Sequence, residues 1–257
     1  MREDLNRMTP MPGKPRISVV FPAFNEEMNL ETVITSACRI LPDLTSSFEI
    51  IIVNDGSTDG TAGVCARLSD SEWPIQIVTH PHNLGYGAAL KSGIEQAKKD
   101  LIFFCDSDGQ FSLSDLPRLL GWVDQYDIVA GYREQRQDPP HRRLNAWGWN
   151  LLVRSIFGLR IRDIDCAFKI FRREVFEAVE IGTVGAFVNT EILIRALEHG
   201  FTVKEVPVRH FPRRFGTQTG ANPRVIIKAF YELAKVYLRI TFGTPRPVSS
   251  PVKHEVA

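Results

Sequence analysis

The chain has few cysteines: Cys38, Cys65, Cys105 and Cys166 stand far apart in apolar surroundings, with no C-x-x-C. That excludes a disulfide framework or a cysteine zinc site and reads as reduced structural thiols, as expected of a cytoplasmic protein. No basic-then-apolar leader opens the sequence, and it holds no apolar run of about 18 residues. The chain is therefore not expected to span a membrane. A G-x-x-x-x-G-K-[ST] loop is missing, and NLGYGAALKSG, with Gly85 and Gly87, lacks the third glycine of a dinucleotide fingerprint. These gaps speak against P-loop phosphotransfer and nicotinamide redox chemistry. Net charge is nearly missing too, at +1.

The small net charge hides a division. Residues 1–132 hold ten Lys and Arg against eighteen Asp and Glu, whereas residues 133–173 hold ten against four. Acidic loops suit a divalent cation and basic loops suit phosphate. Nucleic acid is not an expected partner, because the basic region is short and the acidic half would repel a duplex.

Five short apolar runs, RISVVFPAF, FEIIIVND, IQIVTH, DLIFFCD and YDIVAGY, alternate with helical patterns starting near Glu26, Thr58, Tyr86 and Ser114. This predicts an α/β fold with a mainly parallel, Rossmann-like sheet covered on both faces. Ligands of such sheets bind beyond the carboxyl ends of the strands, where Asn25, Asn54, Asp55, Asp106 and Asp108 fall. After Gly131 the alternation breaks. A basic loop leads to the helical pattern LNAWGWNLLVRSIFGL and then to RDIDCAFKIFRR, a helix near 189–199, the strand TVKEVPVRHF and a last amphipathic helix from Pro223. The expected organisation is a tail over 1–15, one domain over 16–221 with halves 16–132 and 133–221, the helix over 222–242, and a second tail over 243–257. Both tails read as disordered.

Asp106 and Asp108 stand one residue apart where an apolar strand ends. Residues i and i+2 of an extended segment point the same way, so both carboxylates can reach one ion. Oxygen ligands without His or Cys nearby favour Mg2+ or Mn2+, completed by water and phosphate oxygens. Gln110 could add a ligand. A plain alternative is that Asp108 caps the turn at Gly109. In NDGSTDGT, Ser57 or Thr58 is the expected helix cap, and Asp55 could accept from a base or ribose. Phe24 offers a flat surface to a base and Glu26 an acceptor.

Taken in order, PAFNEE, VNDGSTDGT, NLGYGAALKSG, DSDGQF, GYR, DIDCAFKIF and RRFGTQTG resemble the motifs of family 2 glycosyltransferases of the GT-A fold. The closest likeness is to the dolichyl-phosphate mannose synthase branch and its bacterial polyprenyl-phosphate relatives, and it runs from about Ile17 to Ile240. The resemblance implies that Asp106, Asp108 and Gln110 hold Mg2+ or Mn2+ against a donor diphosphate, and that Pro22, Phe24, Glu26 and Asp55 cradle the nucleoside. It implies that Arg133 and Arg143 meet a lipid phosphate, with Asp163 and Asp165 near the acceptor, and that Arg213 and Gln218 approach the diphosphate. Phe24 stands where the family has Tyr, Asn54 where it has Asp, and Thr217-Gln218-Thr219 where it has Glu-Ser-Lys.

The implied activity is inverting transfer of one sugar, mannose or glucose-like, from a GDP-mannose or UDP-glucose type donor to a dolichyl or undecaprenyl phosphate. An ionised phosphate needs cations more than a base, which fits Arg133, Arg142 and Arg143. Trp147, Trp149, Leu151, Leu152, Ile156 and Phe157, with the basic residues Lys228, Lys235 and Arg239, could bring the protein to the cytoplasmic face of a membrane. Transfer to a sugar or protein hydroxyl stays open, with Asp163, Asp165 or Glu191 as base. So does a non-catalytic nucleotide-sugar-binding module.

Overall fold

The computed structural model describes residues 13–134, 140–216 and 223–242, without the side chains of 140–146, 223–226 and 241. Both expected tails lie largely outside these residues. Seven strands form one sheet in the order β3-β2-β1-β4-β6-β5-β7. They are β1 (Arg16–Ala23), β2 (Ser47–Asn54), β3 (Ile75–Thr79), β4 (Leu101–Cys105), β5 (Ile128–Arg133), β6 (Phe168–Arg172) and β7 (Val203–Val208). The helices are α1 (Leu30–Leu44), α2 (Thr61–Ser69), α3 (Tyr86–Gln96), α4 (Leu116–Leu120), α5 (Pro140–Phe157), α6 (Arg173–Ala178), α7 (Val188–Glu198) and α8 (Pro223–Phe242).

All five residues of Leu-Ile-Phe-Phe-Cys in β4 are buried, because helices cover both sides of the sheet. Phe103 points to one face and meets Phe168 with ring centroids 4.7 Å apart, whereas Phe104 points to the other and stacks on Phe171 at 5.2 Å. One face carries α1, α2 and α4 through Ile34, Leu41, Val64 and Leu119. The other carries α3, α5, α6, α7 and α8 through Leu90, Val153, Val175, Leu193 and Leu233. Each such fully buried side chain contributes about 1.5–3 kcal/mol, before the entropy of ordering it.

The break in alternation after Gly131 has a topological cause. β6 runs antiparallel to β4 and β5 and separates them, pairing Phe104 with Lys169 on one side and Ala130 with Lys169 on the other. The other neighbouring pairs are parallel. The carboxyl ends of β1, β2, β4 and β5 therefore share one edge. Between β1 and β4 the chain reverses the direction in which it adds strands, which opens a crevice there.

Two local expectations are corrected. Neither Ser57 nor Thr58 caps α2: its N-cap is Gly60, and the Thr61 amide donates to Asp59 Oδ1 at 3.0 Å. Ser57 and Thr58 are engaged across the loop, where the Asn25 amide donates to Ser57 Oγ at 3.0 Å and the Thr58 amide to Asn25 Oδ1 at 2.8 Å. Of the six apolar residues named on the 140–157 helix, Trp147 and Leu151 are exposed, while Trp149, Leu152, Ile156 and Phe157 pack against the core. Trp149 meets Phe230 of α8 edge-on at 5.3 Å.

Candidate functional site

The first wall of the crevice is the turn after β1. Asn25 takes φ +57°, the left-handed region that asparagine tolerates better than most residues. This turn is fastened to the 57–61 loop by the bonds above and by the Glu26 amide on Thr61 Oγ1 at 2.8 Å. Pro22, next to last in β1, is buried, and its carbonyl accepts from Ser107 Oγ at 2.7 Å, which anchors the loop after β4 to β1. Phe24 is half-buried beside it.

Asp55 follows β2 and is almost fully buried. Its carboxylate accepts from the amides of Leu84 and Gly85, both at 2.9 Å, and meets His80 Nδ1 at 2.7 Å. His80 Nε2 in turn meets Ser92 Oγ at 2.9 Å. Asp55 thus holds the 80–85 loop against the crevice, and acts on anything bound there through that loop.

Asp106 and Asp108 sit at the end of β4 with Gly109 at φ +73° closing the turn. Burial and the neighbouring Asp108 charge push the Asp106 carboxyl up to about 7. Asp108 is raised as well, by burial, although the Gln110 amide at 3.0 Å and Arg213 oppose this. Two neighbouring carboxylates repel each other in such a site, and the repulsion is relieved either by a proton or by a cation. In this structure Arg213 partly supplies the cation: Nη2 lies 2.6 Å from Glu26 Oε1 and Nη1 lies 3.4 Å from Asp108 Oδ2. Asn29 adds a 2.8 Å bond to Glu26 Oε2. Among the described residues no group of three His, Cys, Asp or Glu forms a fuller cage. The pair therefore fits a hard cation whose remaining ligands come from water and a phosphate-bearing substrate.

Gln110, expected as a third ligand, is turned elsewhere. Its Nε2 donates to the Phe211 carbonyl at 3.0 Å, and the Phe211 amide donates back to the Gln110 carbonyl at 2.8 Å. Those bonds lay the 211–216 segment across the mouth of the crevice, with Arg213 on its inner side.

The opposite wall begins at Arg133, the last residue of β5. Its Nε and Nη2 each lie 2.6 Å from an oxygen of Asp163, and its amide adds a third bond at 3.2 Å. Burial disfavours the guanidinium charge, but the bonds to Asp163 outweigh this and hold it charged. Asp165 lies in the same electrostatic neighbourhood. Arg142, Arg143 and Gln218 fall outside the residues whose side chains are described.

Three site residues escaped the sequence reading. Lys169, fully buried in β6, donates from Nζ to the carbonyls of Ile164 and Cys166 and so shapes the loop that carries Asp163. Burial holds its ammonium below the usual lysine range. Tyr86 and Asn189 reach the Asp106 side of the crevice from α3 and α7. A lysine inside the apolar run CAFKIF was the one available signal, since it conflicts with a strand buried on both faces.

A family model described as glycosyl transferase family 2 matches residues 18–180. An undecaprenyl-phosphate 4-deoxy-4-formamido-L-arabinose transferase of Pseudomonas fluorescens is 31% identical over 222 residues, covering 84% of this chain and 63% of that protein. Glycosyltransferase AglD of Haloferax volcanii is 32% identical over 207 residues, covering 77% of this chain and 33% of that protein. The chain thus spans less than two thirds of the length of these relatives. Glucosyl-3-phosphoglycerate synthase of Mycobacterium tuberculosis, solved with Mg2+ and uridine diphosphate, superposes with a TM-score of 0.65 at 20% identity, covering 90% of this chain and 81% of that one. At that identity the likeness is one of fold.

Proposed function

The chain belongs to glycosyl transferase family 2, and from that premise we propose that it moves one sugar from a nucleoside diphosphate to a polyprenyl phosphate, with inversion at the anomeric carbon. The observation that carries the reading is the Asp106–Asp108 pair at the strand edge, half-buried and buried respectively, facing the largely buried Arg133 across the crevice. The relatives named as undecaprenyl-phosphate 4-deoxy-4-formamido-L-arabinose transferases support the acceptor class. The donor is of the GDP-mannose or UDP-glucose type.

Asp106 and Asp108 would hold Mg2+ or Mn2+, which supplies charge stabilisation to a departing diphosphate. Arg213 now rests on Glu26 and Asp108. When a diphosphate enters, its oxygens replace those carboxylates as the guanidinium's partners. Phe24 offers its ring to the base, and Asp55 keeps the 80–85 loop shaped around the nucleoside. On the acceptor side Asp163 fixes the plane of Arg133, so that the guanidinium meets the acceptor phosphate already oriented. Arg143 and Asp165 are assigned with it to the acceptor phosphate, and Gln218 to the donor diphosphate. A phosphate nucleophile is ionised near neutral pH, so no side chain has to remove a proton.

Transfer to a hydroxyl would need a carboxylate base, and two of its candidates are committed elsewhere. Asp163 holds Arg133, and fully buried Glu191 accepts from Gly182, Thr183 and Arg195. Among the described residues no helix is long and apolar enough to cross a membrane. The lipid is reached instead through α8, whose Ile227, Tyr231, Leu238 and Phe242 form one exposed apolar stripe beside Lys228, Lys235 and Arg239. On this reading the protein works at the cytoplasmic face of the membrane.

The test is transfer from labelled UDP-, GDP- and dTDP-sugars to undecaprenyl or dolichyl phosphate with Mg2+ or Mn2+, followed by organic extraction. Label in the organic phase that requires both metal and Asp108 is the expected result. Label that stays aqueous for every donor, although a sugar nucleotide binds, overturns the lipid-phosphate acceptor.

A further inference from the structure

Three polar side chains from different elements form one line behind the 80–85 loop. Asp55 follows β2, His80 follows β3 and Ser92 stands on α3. His80 Nδ1 lies 2.7 Å from Asp55 Oδ1, and His80 Nε2 lies 2.9 Å from Ser92 Oγ. Asp55 and His80 are nearly closed to solvent, whereas Ser92 is half-buried. The order Ser-His-Asp has the connectivity of a hydrolase triad. Ser92, however, is the seventh residue of α3, where the backbone amides are bonded within the helix and none remains to hold an oxyanion. The line points to positioning, not to a nucleophile.

The bonds assign the protons. A carboxylate oxygen accepts, so His80 Nδ1 carries the hydrogen and Nε2 accepts from the Ser92 hydroxyl. Asp55 Oδ1 then receives two donors, the ring and the Leu84 amide, while Oδ2 receives the Gly85 amide. With Oδ1 shared, the carboxylate cannot turn about Cβ–Cγ without giving up the ring or an amide. The backbone around it is equally tight. The His80 amide donates to the Asn54 carbonyl at 2.9 Å, and a Cβ on Gly56 would lie 2.2 Å from the His82 carbonyl carbon. The 80–85 loop is thus laid directly on the loop after β2, at the strand ends where the nucleoside is assigned.

Resting on the proposed transfer reaction, we infer that His80, kept in one tautomer by Ser92, is a positioning residue for the nucleotide end of the donor. It holds Asp55, and through Asp55 the Leu84–Gly85 turn, in the shape that a nucleoside diphosphate binds. None of the three side chains is assigned to the diphosphate or to the acceptor phosphate. Their effect therefore falls on binding of the nucleotide and leaves the chemical step alone.

The experiment compares wild type with His80→Asn, His80→Leu and Ser92→Ala. Asparagine and leucine are alike in size and shape, but only asparagine has a nitrogen that can donate to Asp55 in the place of Nδ1. Calorimetry with Mn2+ measures affinity for UDP, GDP and dTDP, and initial rates on the accepted donor separate kcat from KM. His80→Leu should weaken nucleotide affinity roughly 10- to 100-fold, the scale of one hydrogen bond to a charged group. KM should rise by a similar factor with kcat within about threefold. His80→Asn should recover most of that affinity, and Ser92→Ala should lose about two- to tenfold. Equal affinity in the Asn and Leu variants overturns the inference, because packing alone would treat them alike. A loss confined to kcat overturns it too. If either His80 variant does not fold, Ser92→Ala decides: the stated loss upholds the inference and wild-type affinity overturns it. If wild type binds none of the three nucleotides, the proposed function fails and the inference falls with it. If it binds one but transfers to no lipid phosphate, only the acceptor fails, and the calorimetric comparison still decides the role of His80.

Discussion

The two walls of the crevice treat buried charge in opposite ways. On the β1–β4 side, Asp106 and Asp108 share one pocket, where Arg213 reaches Asp108 at 3.4 Å and Arg133 offsets both from across the crevice without outweighing burial. On the β5–β6 side, Arg133 and Asp163 are already matched through two 2.6 Å bonds. An unmatched pair of like charges is a binding site waiting for its counter-ion. A matched pair is a piece of framework that aims a side chain.

Asp106→Asn tests the first half of that contrast. Transfer should drop by about 10²-fold or more, on the scale of removing one preorganised charge from a reacting centre. Metal-free thermal stability should hold or rise, because repulsion is relieved. A clear loss of stability in EDTA would make the pair framework too.

The converse change is Asp163→Ala, which strands the Arg133 charge. Unfolding by urea should show a cost of about 3–5 kcal/mol. The double variant Arg133→Met with Asp163→Leu should recover much of that stability and none of the transfer. A single variant as stable as wild type would remove the matched-pair description.

The pH response separates the walls further. In the folded chain the Asp106 carboxyl is raised from 3.8 to about 7, so its contribution to stability is full below about 4 and lost as pH rises through about 7. Metal requires the ionised form, and Mn2+ affinity in the presence of UDP should climb between about pH 6 and about pH 8. Titration calorimetry with flat affinity across that range would show that the carboxylates carry no such shift.

Smaller effects are expected away from the charges. Phe24→Ala should weaken UDP or GDP binding by about 1–3 kcal/mol if the ring carries the base, with no change in metal dependence. Replacing Ile227, Tyr231 and Leu238 by serine should alter stability by about 0.5 kcal/mol or less per site, since all three are exposed. Sedimentation with anionic vesicles should nonetheless weaken; unchanged sedimentation would take α8 out of the membrane model.

The α8 result shows where sequence reading stops. Periodicity made the helix amphipathic, with Ile227, Phe230 and Tyr237 grouped with Leu233 on its apolar face. In the fold Leu233 and Val236 enter the core, Phe230 and Tyr237 touch Trp149 and Phe157 while staying partly exposed, and Ile227 is left outside. A 3.6-residue period separates apolar from polar positions, but it does not say which part of a broad apolar arc will find a neighbour. β6 is a similar case: CAFKIF reads as a buried strand in either direction, and its antiparallel placement follows from the chain on both sides of it.

Sequence alone determined the alternating fold, the strand-end location of the site and the Asp106–Asp108 pair, because each depends on residues within a few positions of one another. Tertiary structure decided that Asp163 holds Arg133, that Lys169 supports the loop between them, that Gln110 turns to Phe211, and that Tyr86 meets Asn189. Three of these four pairings join positions 30 to 103 apart. Contacts at that separation depend on strand order and loop packing, which local propensities and spacing do not encode.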